Sequence, residues 1–310
     1  MLNVLVLGGT TYDSIISLPK LPEPVPQTIH AAPFHETVGS TGAGKALNLC
    51  KLNVPCILHS IIGNDSYGHK IKESLQDAGV DFRYDIDPQG TERHVNLMDR
   101  EGNRISIFVT QSSANPPLDL NRLEALIRDC DIVVINIIGY TKALIGLCRK
   151  YNKPVWTDLH DYDGMNGFYV DYIEAADYIF MSSDKLPDYR KVMEALLRKG
   201  KKLVVCTHGK KGATCLSQDG GWIETGIIEQ YEFIDANGAG DSFFSGFLYG
   251  YLNSKPIVEC LNLGTVCAGL SITSKELAYP ELSEELLRRE YDKYYGGNNR
   301  VNKGRRRSNE

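Results

Sequence analysis

Short runs of β-branched and aliphatic residues recur along this chain with helix-length stretches between them, and that alternation restricts the fold more than any other feature. Residues 2–8 (LNVLVLG) are apolar almost throughout, as a strand buried on both faces of a parallel sheet must be. The runs at 57–62, 132–138, 155–158, 178–181 and 203–207 repeat the pattern. The stretches 121–129, 141–151 and 188–199 between them carry apolar residues at helical spacing. Parallel neighbours need long crossover connections, and a helix is the usual one. The expectation is an α/β fold with a central, mostly parallel sheet and helices on both faces, in three layers.

Two regions break the rhythm. Residues 27–38 and the pair 93–98 and 104–109 are strand-like with no helix between them, and Asp99-Arg-Glu-Gly-Asn103 is a turn that joins the second pair as a hairpin. These segments predict a small β-sheet lid built from about 12–38 and 90–110. The last third is helical, with apolar residues three and four apart over 240–252, 257–270 and 283–294. No internal repeat or low-complexity linker divides the chain, so residues 1–295 are read as one domain. Residues 296–310 hold five Lys or Arg against Glu310 and almost nothing apolar, which predicts a basic, disordered tail; a docking arm is the alternative.

Composition excludes several classes. At 42% hydrophobic and 24% charged, the 310 residues match a globular chain and not a fibrous or disordered one. No apolar run approaches the ~18 residues of a membrane span, and the N-terminal run lacks the basic flank of a signal peptide, so a cytosolic location is expected. The eight cysteines form no CxxC and interrupt apolar runs, which reads as reduced core residues. The formal charge is −5 overall, and the tail's local +4 leaves −9 for the preceding residues, with no footprint for nucleic acid.

The most informative stretch is Asp235-Ala-Asn-Gly-Ala-Gly-Asp241, which follows an apolar run at 232–234 and leads into an amphipathic helix. Gly238, Ala239 and Gly240 let backbone N–H groups converge where a helix dipole begins, and that makes an anion site. Asp241 faces the same point. A carboxylate beside an anion site fits a base acting on a nucleophile that enters between it and a phosphate. A plain Asp cap after a glycine turn is the simpler alternative.

Residues 39–46 (GSTGAGKA) match GxxxxGK of a P-loop, but Ala46 replaces the hydroxyl that would hold Mg²⁺, so a P-loop nucleotide site is disfavoured. Gly8-Gly9-Thr-Thr-Tyr-Asp13 reads as a loop and an acid at the carboxyl edge of the first strand, where open α/β sheets bind ligands, although Asp13 is also a plausible turn residue. That loop lacks GxGxxG, so a dinucleotide fold has no support.

These motifs resemble the ribokinase-like, or PfkB, family of carbohydrate kinases, whose C-terminal signature reads DTxGAGD. Asp235, Gly238, Ala239, Gly240 and Asp241 match it, with Asn237 where Thr is usual. Residues 43–48 (AGKALN) resemble the family's GGxxxN, and 63–80 its GxDxxGxxxxxxLxxxGV through Gly63, Asp65, Gly68, Leu75, Gly79 and Val80. The resemblance implies a ribokinase-like fold and transfer of the γ-phosphate of ATP to a hydroxyl of a small sugar-like substrate. Asp241 is then the base, with Gly238–Gly240 as the phosphate hole. Asp13, Gly44, Lys45 and Asn48 would hold the acceptor, Gly44 by giving it room and Lys45 and Asn48 by donating to its hydroxyls. Thr207, Gly209 and Gly212, in a TLGxxG-like segment, would lie under the nucleotide, with His208 structural. Asp235 and Asn237 would flank a monovalent cation such as K⁺.

Departures from the family are visible. Ser182-Ser-Asp-Lys185 stands where NxxE is common, leaving Asp184 as the carboxylate near Mg²⁺, and 273–278 lacks the RxGA run. Two further readings therefore stay open beside the sugar kinase. One is a nucleoside kinase of the same fold, with Tyr12, Phe34 and His94 lining a slot for the base. The other is a catalytically silent binding module. Free lid edges also admit a homodimer.

Overall fold

The computed structural model describes residues 2–30, 33–100, 102–219 and 221–296. In chain order its strands are β1 Val4–Leu7, β2 Thr11–Ser17, β3 Phe34–Gly39, β4 Cys56–Ile62, β5 Asp81–Ile86, β6 Arg93–Met98, β7 Arg104–Thr110, β8 Ile132–Asn136, β9 Val155–Asp158, β10 Tyr178–Ser182, β11 Leu203–Thr207, β12 Ala213–Ser217 and β13 Gly221–Thr225. The α-helices are α1 Thr41–Lys51, α2 Ser66–Asp77, α3 Leu120–Asp129, α4 Ile145–Lys150, α5 Val170–Ala175, α6 Tyr189–Arg198, α7 Ala239–Leu252, α8 Ile257–Ser271 and α9 Glu284–Tyr295.

The large sheet runs β13-β12-β11-β10-β9-β8-β1-β4-β5; it is parallel from β11 to β5, and β12 and β13 extend it by antiparallel pairing at one edge. Side chains alternate across a strand, so β1 feeds two cores. Val4 and Val6 pack with Leu49 of α1, Phe244 and Phe247 of α7, Val266 of α8 and Leu287 of α9. Leu5 and Leu7 pack on the other face with Ile127 of α3, Cys148 of α4, Ile173 of α5 and Met193 of α6. This is the three-layer α/β arrangement expected, and it is why the strands read as unbroken apolar runs. The lid is a second sheet, β3-β2-β6-β7, with a bulge between Arg93 and His94.

Several boundaries differ from the sequence reading. Residues 10–13 are not a loop; β2 begins at Thr11, so Asp13 is carried on the lid. The strand expected over 27–38 is confined to β3, since the prolines at 22, 24, 26 and 33 cannot donate to a ladder. The apolar run at 232–234 forms no strand, and β5, β12 and β13 were not anticipated. All eight cysteines are unpaired, six of them fully buried. Among the described residues no helix is long and apolar enough to cross a membrane. The basic segment from 297 onward lies outside the described residues.

Candidate active site

A cleft of about 1010 Å³ opens where the parallel strands end. Gly9 beyond β1, Asn136 of β8, Asp158 of β9, Ser182 of β10 and Thr207 of β11 all line it, each at the carboxyl end of its strand. The strand order reverses at β1, which lies between β4 and β8, so this is the topological switch point where α/β sheets take ligands. Asp13, His94, Asn96 and Ser106 of the lid form the facing wall.

Asp241 enters the cleft floor in the first turn of α7. The residue before that helix, Gly238, has φ 78°, and a Cβ there would stand 2.5 Å from the Leu277 carbonyl oxygen, so glycine is required on both counts. Lys45 reaches Asp241 from α1, its Nζ 2.5 Å from Oδ1, and lies 3.2 Å from Oδ2 of Asp158. Burial pushes the Lys45 ammonium toward neutrality, but Asp241 and Asp158 outweigh it and hold the amine above its ordinary value, charged. Burial likewise pushes Asp158 up, and His160 and Lys45 bring it down to about 2. The His160 N–H donates to Asp158 Oδ1 at 3.0 Å.

Asp13 is 4% exposed, and Asn96 Nδ2 donates to its Oδ2 at 3.3 Å, while its Oδ1 has no hydrogen-bond partner and lies 3.7 Å from His94 Nδ1. Burial raises its pKa, an effect that His94, 3.7 Å away, partly offsets. His94 is held in turn by Glu92 at 3.0 Å and by the Phe108 ring, with centroids 3.9 Å apart. Two further buried polar atoms of cleft-lining residues lack partners, Asn136 Oδ1 and His160 Nε2. Each of these atoms has hydrogen-bonding capacity left for a ligand in the cleft.

Thr207, Gly209 and Asp184 line the far end of the cleft. Gly212 does not. Its φ is +90°, and a Cβ would stand 1.9 Å from the Thr225 carbonyl, so it serves the β12–β13 edge. His208 bridges Ser183 and Thr214 through its two ring nitrogens at 2.9 Å each, and burial lowers its pKa, in keeping with a structural role.

Among the described residues no three His, Cys, Asp or Glu side chains gather as a metal site. Asp184 is a carboxylate on the cleft wall. The expected K⁺ pair fits less well. Asp235 Oδ1 accepts the Asn237 N–H at 2.7 Å, and Asn237 Oδ1 receives Arg104 Nη1 at 3.5 Å, so a cation there would meet a guanidinium.

The structure thus brings Asp13, Asp184, Thr207, Gly209, Asn237, Gly238, Gly240 and Asp241 to one cleft, with Ala239 and Asp235 in the backbone turn behind it. The acceptor turn itself is not among the cleft-lining residues. Lys45 and Asn48 are fully buried, Asn48 donating from Nδ2 to the Gly44 carbonyl at 2.8 Å while its Oδ1 has no hydrogen-bond partner. Gly44 makes room for the Asp241 carboxylate. Ser40 and Thr41, just before and at the start of α1, line the cleft. Of the three slot residues, only His94 lines the cleft: Tyr12 packs on Tyr67, and Phe34 is exposed. Asn136, Asp158 and His160 were missed, although polar residues closing apolar strands at the carboxyl edge were the available signal.

The model for pfkB family carbohydrate kinases matches residues 1–284. Acarbose 7(IV)-phosphotransferase of an Actinoplanes species is 31% identical over 278 residues, covering 87% of this chain and 92% of the relative. Guanosine-inosine kinase of Exiguobacterium acetylicum is 28% identical over 274 residues, 80% of this chain and 88% of the relative. The solved structure of a microbiome-derived acarbose kinase superposes with a TM-score of 0.84 at 28% identity, covering 93% of this chain and 98% of that one. The chain thus belongs to the pfkB family of carbohydrate kinases, phosphotransferases with an alcohol group as acceptor.

Proposed function

We propose that the protein transfers the γ-phosphoryl group of ATP to a hydroxyl of a sugar or oligosaccharide, with Asp241 as base. The observation that carries this reading is the position of Asp241, at the start of α7 beside the left-handed Gly238 turn and in one cleft with the acid Asp13. As the acceptor oxygen bonds to the γ-phosphorus, the bond from phosphorus to the β,γ-bridging oxygen breaks. The hydroxyl proton passes to Asp241, and ADP leaves. The N–H groups around Gly238–Gly240 face the transferring phosphoryl oxygens, and Thr207 and Gly209 lie under the nucleotide. Asp184 would hold hydrated Mg²⁺, which on binding offsets phosphate charge.

The acceptor wall supports a polyhydroxylated substrate. Asp13, Asn96, Ser106 and Asn136 line the cleft, and Oδ1 of Asp13 and Oδ1 of Asn136 lack a hydrogen-bond partner. The acarbose-acting relative favours a glycosidic acceptor. The His94–Phe108 pair offers an aromatic face on the acceptor wall that a nucleobase could use, and the guanosine-inosine kinase keeps that reading in the test. The domain is taken to run through α9, whose Leu287 joins the core. At the lid, β7 pairs on one side only and exposes Ile105, Ile107 and Val109, a free apolar edge suited to a second copy of the chain. Light scattering across concentration tests that dimer.

A coupled ADP-release screen over monosaccharides, acarbose and other oligosaccharides, and nucleosides, with and without K⁺, tests the activity. Turnover with a sugar that disappears in Asp241→Asn is expected. Near wild-type turnover in that variant overturns the mechanism, and nucleotide binding without ADP formation on any acceptor points to a silent binding module.

A further inference from the structure

We propose that Lys45 is a positioning residue for Asp241, an ammonium enclosed beneath the cleft floor that fixes one oxygen of the base and ties it to Asp158. The inference rests on the reading of Asp241 as base. Lys45 is 0% exposed and does not line the cleft, so it is placed to act through Asp241 and not on the acceptor. The charged and titratable groups around its Nζ are Asp241 from α7 at 2.5 Å and Asp158 from β9 at 3.2 Å, with His160 beyond Asp158 at 3.7 Å. The Phe244 ring of α7 closes the remaining side, 5.0 Å from Nζ to its centroid.

Stability alone is a poor reason for such an arrangement, because well-packed apolar residues replace buried ion pairs at little cost. Position is a better one. A carboxylate that must wait beside a polyphosphate is repelled by it and turns away unless something holds it. Lys45 bonds Oδ1 only, so the carboxylate keeps one orientation and Oδ2 is left without that bond. The same ammonium offsets the charge of Asp158, which would otherwise add a second anion to the floor. Three elements, α1, β9 and α7, are thereby locked at the point where the proton is taken up.

Lys45→Met, alone and with Asp158→Asn, separates positioning from packing. In Lys45→Met we expect kcat to fall by about tenfold or more, as displacement of a catalytic group does, with KM for ATP changed less than about threefold. The acid limb of the kcat profile should move to higher pH, because two neighbouring carboxylates then share the site without a cation, and Asp158→Asn should return it part of the way. A folded Lys45→Met protein with the wild-type pH profile overturns the proposal. So does a rapidly exchanging Lys45 ammonium in the wild-type protein labelled with nitrogen-15 at lysine; a protected signal that shifts on acceptor binding is expected. If Asp241→Asn keeps its turnover, the base assignment has failed. If Asp241→Asn is inactive while Lys45→Met keeps its profile, only the positioning role has.

Discussion

The carboxylate of Asp241 lies against the bare Cα of Gly44, so close that a Cβ there would stand 2.6 Å from Oδ2 and 3.0 Å from Cγ. Helix α1 therefore owes its glycine to a neighbour on α7, and two helix starts converge because one of them has no side chain. Ordinary helix preference runs the other way, since Ala would stabilise the interior of α1 by about 1 kcal/mol over Gly.

Gly44→Ala is expected to push aside the Asp241 carboxylate, the base in the proposed mechanism. A shift of about 1 Å in a catalytic group costs on the order of 100-fold in rate, so kcat should drop by about that factor while ATP still raises the melting temperature. Steady-state kinetics with a thermal-shift control read both. Unchanged kcat would mean that Asp241 relocates without loss.

Asp13 predicts a trade between stability and binding. Burial holds its carboxyl above the ordinary value, so the folded state binds that proton more tightly than the unfolded chain does. Stability is gained as pH falls through the raised value, and above it the carboxylate weakens the fold. Asp13→Asn should melt at a higher temperature than wild type at pH 8, with the difference shrinking in acid. Its kcat/KM for the acceptor should fall by about 10- to 100-fold, the worth of hydrogen bonds to a charged group. Calorimetry and initial rates check the two halves, and a less stable variant would contradict the sign.

The parallel sheet was legible because Val4, Val6, Leu5 and Leu7 must each face a core, leaving no polar position in β1. Asp241 was legible because small residues before a helix start have few other uses. Lys45 was not, since a lysine one residue after a glycine reads as solvated or ligand-facing, and only the tertiary approach of Asp158 and Asp241 makes burial tolerable. Gly8-Gly9 is a break signal that puts Asp13 on a loop, whereas pairing with β3 from Thr11 and with β6 from Ser14 overrides it. Asn136 and His160 carry no motif; their unpartnered atoms are visible only once the strands stand side by side.

Asp158 should mark itself in acid. Its carboxyl is held down to about 2, by His160 and Lys45 against the cost of burial, so its contribution to stability is present above the unfolded value near 4 and is lost as pH falls through about 2. Asp158→Asn should cost about 2 kcal/mol at pH 7, and that gap should narrow below about pH 4. Urea denaturation at pH 7 and pH 3 measures it, and a gap that does not depend on pH would show that packing, not charge, is what the substitution removes.

Arg104 and Lys185 are the Lys or Arg side chains lining the cleft among the described residues, set against Asp13, Glu92, Asp158, Asp161, Asp184 and Asp241. Lys185 is paired with Asp161 at 2.5 Å, whereas exposed Arg104 reaches from the lid only to Asn237 in the turn before α7. An acidic cleft that takes a polyanion gains from a mobile cation on the wall that closes over it. Arg104→Ala should raise KM for ATP by about 3- to 10-fold and flatten its dependence on salt, since screening acts on exposed charges. Stability should stay within about 0.5 kcal/mol of wild type, as for other exposed positions. Initial rates over a range of ionic strength decide it: identical KM values at low salt would remove Arg104 from nucleotide binding and leave the lid to act on the acceptor alone.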